Sequence, residues 1–400
     1  MSKKIVESYR RKLAQEEGWR VKQGAQIRIA LCYPNTHAIG MANLGLHTMY
    51  ELFNKIPEVS CERVFLPDAD EMREYEKSRS TLLSLETQTP IRDFDVVAFS
   101  ISFETDYLNM ARMLQMSGIP VWSKDRNHFH PLVVMGGAAS FLNPEPIADF
   151  TDVIAVGEGE VLAFQLIDAI SEGGDKEEIL LRLARIGRGF YVPSLYDVIY
   201  NDDETVFDYL PKETGVPKRV GRALAAVNPK EGTLRRAIKR GETELAEFLK
   251  NQDIFCPSTA VWSPEAEMGD RLLVEISRGC SQGCRFCWAG YNYYPPRVVP
   301  AKDILAKAAE WRGKTNKIGL VSTAVCDHPE ISTILSELRK MDYRITVSSL
   351  RLDQISDELL DALVESKDQQ IAVAPETGSD RLRRVINKNL TNDEIVDICG

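Results

Sequence analysis

Cys280, Cys284 and Cys287 stand in the stretch RGCSQGCRFCWAG, separated by three and then two residues. Thiolates are the usual ligands of iron–sulfur clusters. This spacing suits one compact loop wrapped around three corners of a four-iron cubane. Gly279 and Gly283 let such a backbone turn tightly, and Phe286 stands where it can shield the metal from water. Three protein ligands leave one iron open to a chelating substrate. The competing chemistry is structural zinc, which wants four closed ligands, generally as two Cys-x2–4-Cys pairs. The fourth would have to come from Cys326 or His328, and the unequal spacing of the triple favours the cluster.

The other five cysteines (Cys32, Cys61, Cys256, Cys326 and Cys399) are scattered singly among 400 residues. A disulfide framework does not look like that. The start, MSKKIVESYRRKLAQEEGW, is charged and helix-like, without the apolar core of a secretory signal. No apolar run approaches the ~18–20 residues that cross a bilayer. These features predict a cytoplasmic protein without a membrane partner, its thiols kept reduced. A net charge of −10 gives no overall attraction for nucleic acid. An apolar share of 44% with 27% charged residues is that of a folded globular chain.

The elements that must position these residues follow a βα rhythm. After a helical extension over residues 1–25, apolar runs at 27–33, 61–66, 96–102, 132–135 and 153–156 alternate with amphipathic stretches such as 44–54 and 107–117. Nearly continuous Val/Ile runs are those of parallel strands buried on both faces. Residues 26–173 therefore predict a doubly wound, Rossmann-like sheet. Ser100, Ser102, Gly136, Gly137 and the Gly157–Gly159 turn follow its strands, at the carboxyl ends where such sheets bind ligands. Residues 174–271 read as a connector with a β-hairpin and a charged helical insertion. Its basic cluster (Arg235, Arg236, Lys239, Arg240) is either a phosphate contact or a solvated helix face. From 272 to 400 a second alternation predicts strands at 272–276, 317–321, 344–348 and 370–374. Helices are expected at 302–311, 330–341, 357–366 and 380–386. Thr391 and Glu394 form a capping-box pair that starts one more. Four such units make part of a (β/α) barrel, so either the barrel is partial or the sequence represents a shortened protein. The cysteine triple falls on the loop after its first strand, at the catalytic end of barrels.

Cys-x3-Cys-x-aromatic-Cys after a first barrel strand resembles the signature of the radical S-adenosylmethionine (SAM) superfamily. The resemblance implies a [4Fe-4S] cluster on Cys280, Cys284 and Cys287 whose open iron binds SAM. It further implies reductive cleavage to a 5′-deoxyadenosyl radical, with electrons from a flavodoxin or ferredoxin. Ala374–Ser379 (APETGS) is similar to the Pro-x-Glu/Gln-x-Gly-Ser region of several such families and makes Glu376 a SAM contact. Ser349 and Arg351 follow the third strand, with Arg351 a partner for the SAM carboxylate. Many members carry Gly-Gly-Glu after the second strand. This chain has Val321-Ser322-Thr323-Ala324, so Ser322, Thr323 or backbone carbonyls would take that place.

A Rossmann-like domain ahead of the barrel resembles the cobalamin-binding radical SAM class, through PNTHAIGMANLGLHTMYELF, VVMGGAASFLNPEP and VIAVGEGE. By that similarity His37, in Asn35-Thr36-His37-Ala38-Ile39-Gly40, is a candidate lower ligand of cobalt. Ser100, Ser102, Gly136 and Gly137 are candidates for the nucleotide tail. Asn35 stands where the motif has Asp, which weakens the polarisation of the imidazole. The alternative is a retained fold without corrin, and His47, on the apolar helix, is expected to be only a packed or surface histidine. Three functions therefore stand open: a radical SAM enzyme acting on a small molecule, peptide or RNA; a cobalamin-dependent radical SAM methyltransferase; and a non-catalytic scaffold with a degenerate barrel. A methylthiotransferase fits less well, because only Cys32 and Cys61 precede Cys256.

Overall fold

In the computed structural model residues 2–225, 256–367 and 371–399 are described. The chain divides into two compact units, Met1–Ala225 with Ser263–Gly269, and Ala226–Trp262 with Asp270–Gly400. The basic segment around Arg235–Arg240 lies outside the described residues.

The first unit runs α1 (Lys3–Gln15), β1 (Ile27–Tyr33), α2 (His37–Gly40), α3 (Leu44–Lys55), β2 (Val59–Phe65) and α4 (Ala69–Ser78). It continues with β3 (Val96–Ser100), α5 (Tyr107–Met116), β4 (Leu132–Gly136), β5 (Val153–Ala155), α6 (Gly159–Ser171) and α7 (Lys176–Arg185). A short β6 (Phe190–Tyr191) and a hairpin of β7 (Tyr196–Tyr200) and β8 (Val206–Pro211) follow. The main sheet has the order β2-β1-β3-β4-β5-β6. Its first five strands are parallel, and β6 adds an antiparallel edge. This is the doubly wound, Rossmann-like layer expected from the sequence. Strand order reverses between β1 and β3, which puts the ligand crevice of such a sheet at their carboxyl ends. The hairpin, expected in a connector, packs with this unit.

Strands β1 and β2 are buried along almost their whole length, yet β2 carries Glu62 and Arg63. The buried Arg63 is held by two carboxylates. Its Nη2 lies 2.6 Å from Glu16 Oε2, and its Nε lies 2.7 Å from Glu86 Oε1. Glu62 accepts from Ser84 at 2.6 Å and from the Thr87 backbone at 3.1 Å. Buried charges are tolerable only when paired and hydrogen-bonded in this way. The network fixes the amino-terminal extension, through Glu16, onto the sheet.

The second unit contains β9 (Leu272–Glu275), β10 (Ser277–Arg278), α8 (Trp288–Asn292), β11 (Arg297–Val298), α9 (Ala301–Trp311) and β12 (Lys317–Val321). Then come α10 (Ile331–Lys340), β13 (Arg344–Val347), α11 (Asp357–Glu365), α12 (Asp380–Val385) and α13 (Asn392–Cys399). Strands β13-β12-β9 form a parallel sheet. Leu272, Val274, Ile318, Leu320 and Ile345 pack from it against Ile304, Ile334 and Leu359 of the helices. The outer edge of β9 is covered by its own upstream chain. The Glu275 N–H donates to the Pro257 carbonyl at 2.9 Å and the Thr259 N–H to that of Leu273 at 3.0 Å. The capping box is present, with Thr391 Oγ1 accepting from the Glu394 N–H at 3.2 Å. A fourth strand over 370–374 is not formed among the described residues. Ile371–Ala374 carry no ladder, and Gln370 is undescribed. The unit is a partial (β/α) barrel.

Candidate iron–sulfur and SAM site

The cysteine loop leaves the carboxyl end of β9 through β10, which pairs with β11 (Ser277 opposite Val298). Gly279 has φ +85°, and a Cβ there would meet the Tyr293 carbonyl oxygen at 2.3 Å, so only glycine lets the two backbones pass. Cys280, Cys284 and Cys287 follow, all partly exposed. The Cys287 N–H closes the turn onto the Cys284 carbonyl at 3.0 Å. Burial pushes the Cys284 thiol up, and the neighbouring Cys287 and Cys280 add to this, while Lys388 opposes it. The three thiols thus lie within electrostatic reach of one another. Phe286 is 54% exposed and gives little of the shielding expected of it.

The side chains considered as a fourth zinc ligand are engaged elsewhere. His328 places Nε2 2.8 Å from the Val299 carbonyl, and its Nδ1 accepts from the Glu330 N–H at 3.1 Å. Cys326 Sγ faces the Arg351 carbonyl at 4.0 Å. Among the described residues no three His, Cys, Asp or Glu side chains converge as one bound ion requires. Ligands on separate corners of a cubane stand farther apart than ligands of a single ion, and an all-thiol donor set on one loop fits the cluster.

The loops after β12 and β13 frame this site. Ser322 is buried and its hydroxyl lies 2.5 Å from that of Ser277 while accepting from the Ala324 N–H at 2.9 Å. Thr323 Oγ1 donates to the Gly279 carbonyl at 2.7 Å, which ties the β12 loop to the start of the cysteine loop. Ser349 is exposed. Arg351 is committed to Asp327 at 2.5 Å and to Asp353. Glu376 sits in left-handed backbone at φ +67°, and its carboxylate lies 2.8 Å from Lys388 Nζ.

Two residues that sequence reasoning passed over, Asn387 and Lys388, close the other side of the loop. Asn387 Nδ2 donates to the carbonyls of Gln282 at 3.1 Å and Gly283 at 2.9 Å. The Arg285 N–H donates to the Ile386 carbonyl at 2.9 Å. The only sequence signal was an Asn after a helix, a residue type that tolerates the left-handed turn.

In the first unit the residues considered for cobalamin are differently employed. The buried His37 has Nε2 2.8 Å from Glu16 Oε1, and its Nδ1 faces Glu265 at 3.9 Å. Asn35 donates to Asp106 at 3.1 Å. Ser102 Oγ accepts from Asn43 at 3.0 Å, and Ser100 is buried. The Ile101 N–H donates to the Gly136 carbonyl at 2.9 Å. A Cβ at Gly137 would stand 2.5 Å from the Ile101 oxygen. The glycine pair therefore lets two chains close on one another rather than opening a channel. Gly157 likewise permits contact with Ala223. Burial pushes the His47 imidazole down to about 4, in a packed position beside the Met41 carbonyl.

The second unit is a parallel sheet with three thiols on the loop after its first strand, and in sequence it follows a Rossmann-like unit. Residues 274–400 match the model of the radical SAM superfamily, and residues 45–193 match that of the amino-terminal region of radical SAM proteins. Both matched stretches are thus similar to radical SAM proteins. It is 28% identical over 371 residues to an uncharacterised protein of Methanocaldococcus jannaschii, a match covering 92% of this chain and 65% of that one. The chain thus spans about two thirds of the length of that relative. Its fold is similar to that of the radical SAM methyltransferase TsrM from Kitasatospora setae, solved with tryptophan substrate and the SAM analogue aza-SAM. That likeness has a TM-score of 0.52 at 13% identity and covers 93% of this chain and 65% of the other. No helix among the described residues is long and apolar enough to cross a membrane.

Proposed function

We propose that the chain is a radical SAM enzyme whose [4Fe-4S] cluster is held by Cys280, Cys284 and Cys287. The observation that carries this is the thiol triple on one loop at the carboxyl end of β9, with Cys326 and His328 occupied elsewhere. When bound, such a cluster supplies the electron that splits a carbon–sulfur bond of SAM, and the chemistry is the cofactor's. This chain's residues hold and orient. Thr323 fixes the start of the loop through Gly279, and the exposed Ser349 and Glu376 are the side chains offered to SAM. Arg351, already neutralised by Asp327 and Asp353, is better suited to shaping the β13 loop than to binding the SAM carboxylate. A flavodoxin or ferredoxin is the class of reductant required, and the substrate is a small molecule, peptide or RNA.

The experiment is anaerobic reconstitution with iron and sulfide, addition of SAM and dithionite, and assay of 5′-deoxyadenosine. The expected result is cluster absorbance with SAM cleavage, and loss of both in Cys284→Ala. A wild-type protein that takes up no cluster sinks the reading, and a cluster without cleavage favours a scaffold.

Cobalamin-dependent methyl transfer is the second reading, supported by the fold likeness to a radical SAM methyltransferase. His37 does not fit as its cobalt ligand, because both ring nitrogens face carboxylates. No step is derived through a corrin, and its absorbance on reconstitution with cobalamin is the test.

A further inference from the structure

The segment after α12 reaches the cysteine loop at several points and is itself rigidly built. Its hub is Arg383, fully buried, which donates to the Leu390 carbonyl at 2.7 Å and to the Thr377 carbonyl, and pairs with Asp380. On this base the Ile386–Lys388 turn meets the loop. The Asn387 amide takes two successive loop carbonyls, those of Gln282 and Gly283, directly before Cys284. Val385 and Ile386 supply the carbonyls that receive the Arg285 guanidinium and backbone N–H directly after it. Lys388 is held by the Ala374 carbonyl and Glu376.

We propose that Asn387 is a positioning residue that clamps the cluster loop directly before Cys284, beside the Val385 and Ile386 carbonyls that hold it directly after. This rests on the cluster reading above. Asn387 donates two hydrogen bonds that no apolar residue can replace, and their loss frees the loop to release metal.

The test uses the whole chain, reconstituted anaerobically. Asn387 has φ +57°, a conformation glycine adopts without strain, so Asn387→Gly removes the amide and leaves the backbone at ease. Its iron should pass to a chelator roughly tenfold faster than that of wild type, the scale of one or two hydrogen bonds lost. Asn387→Asp, which cannot donate, should behave like the glycine variant. Wild-type iron release in Asn387→Gly overturns the proposal and leaves the cluster reading standing. A wild-type protein that binds no cluster overturns that reading itself.

Discussion

Glu16→Gln probes how the amino-terminal extension is locked to the sheet. Burial by itself would raise the Glu16 carboxyl, but the Arg63 guanidinium and the His37 hydrogen bond outweigh it and hold the group at about 2 instead of 4.5. A drop of that size corresponds to about 3 kcal/mol of stability at neutral pH. Glu16→Gln should therefore speed the opening-limited hydrogen exchange of β1 and β2 amides by about a hundredfold. Glu7→Gln, on an exposed position of α1, is the control and should change nothing. The sign with pH is fixed by the lowered value. The contribution is fully present above 4.5 and fades as pH falls toward about 2, so wild type and variant should converge across that window. Glu86 acts the opposite way. Burial, outweighing Arg63, raises its carboxyl, so its ionisation costs stability as pH rises through that value. Exchange rates are compared after correction for their intrinsic pH dependence. Equal rates in Glu16→Gln and wild type at pH 7, or a difference that grows toward pH 2, would refute the reasoning.

Three further outcomes follow from the same geometry. Cys326→Ser should leave iron content unchanged after reconstitution, since its sulfur faces the Arg351 carbonyl; loss of iron would restore the closed four-ligand site. Gly137→Ala forces a Cβ to 2.5 Å from the Ile101 oxygen at φ +99° and should destabilise the first unit by about 2 kcal/mol or more. Hydrogen exchange of β3 and β4 amides is the measure. Arg126→Met removes a buried guanidinium that donates to the Pro120, Val121 and Phe150 carbonyls and should cost about 2 kcal/mol, while Lys176 still pairs Asp152 at 3.0 Å.

The first sheet was legible because its strands are buried on both faces. Continuous apolar runs such as 27–33 and 96–100 stand out against helices that alternate. The exceptions were unreadable for a physical reason. Arg63 looks like an interruption of a strand until Glu16, 47 residues earlier, and Glu86 are brought to it by folding. The two-residue β6 is too short to carry a period. The cysteine loop was legible because its three cysteines lie within eight residues of sequence, and Gly279 could be singled out because tight turns demand glycine. What holds that loop was not, since Asn387 acts from 104 residues downstream on a backbone carbonyl, a contact that leaves no pattern. The expected strand over 370–374 failed for the converse reason. An apolar run predicts a strand only where a neighbour offers its free edge, and Ile371–Ala374 find none among the described residues.

The cover on β9 bears on how this half can be handled as a genetic module. A fragment cut at residue 272, where the alternation of strands and helices begins, would discard Pro257 and Thr259 and strip the partners from Leu273 and Glu275. That fragment would present a bare, apolar sheet margin, open to pairing with other copies of itself. Recombination or expression of the second unit thus has to carry the preceding segment along, and the seam that a reader of the sequence would choose is not the seam the sheet allows.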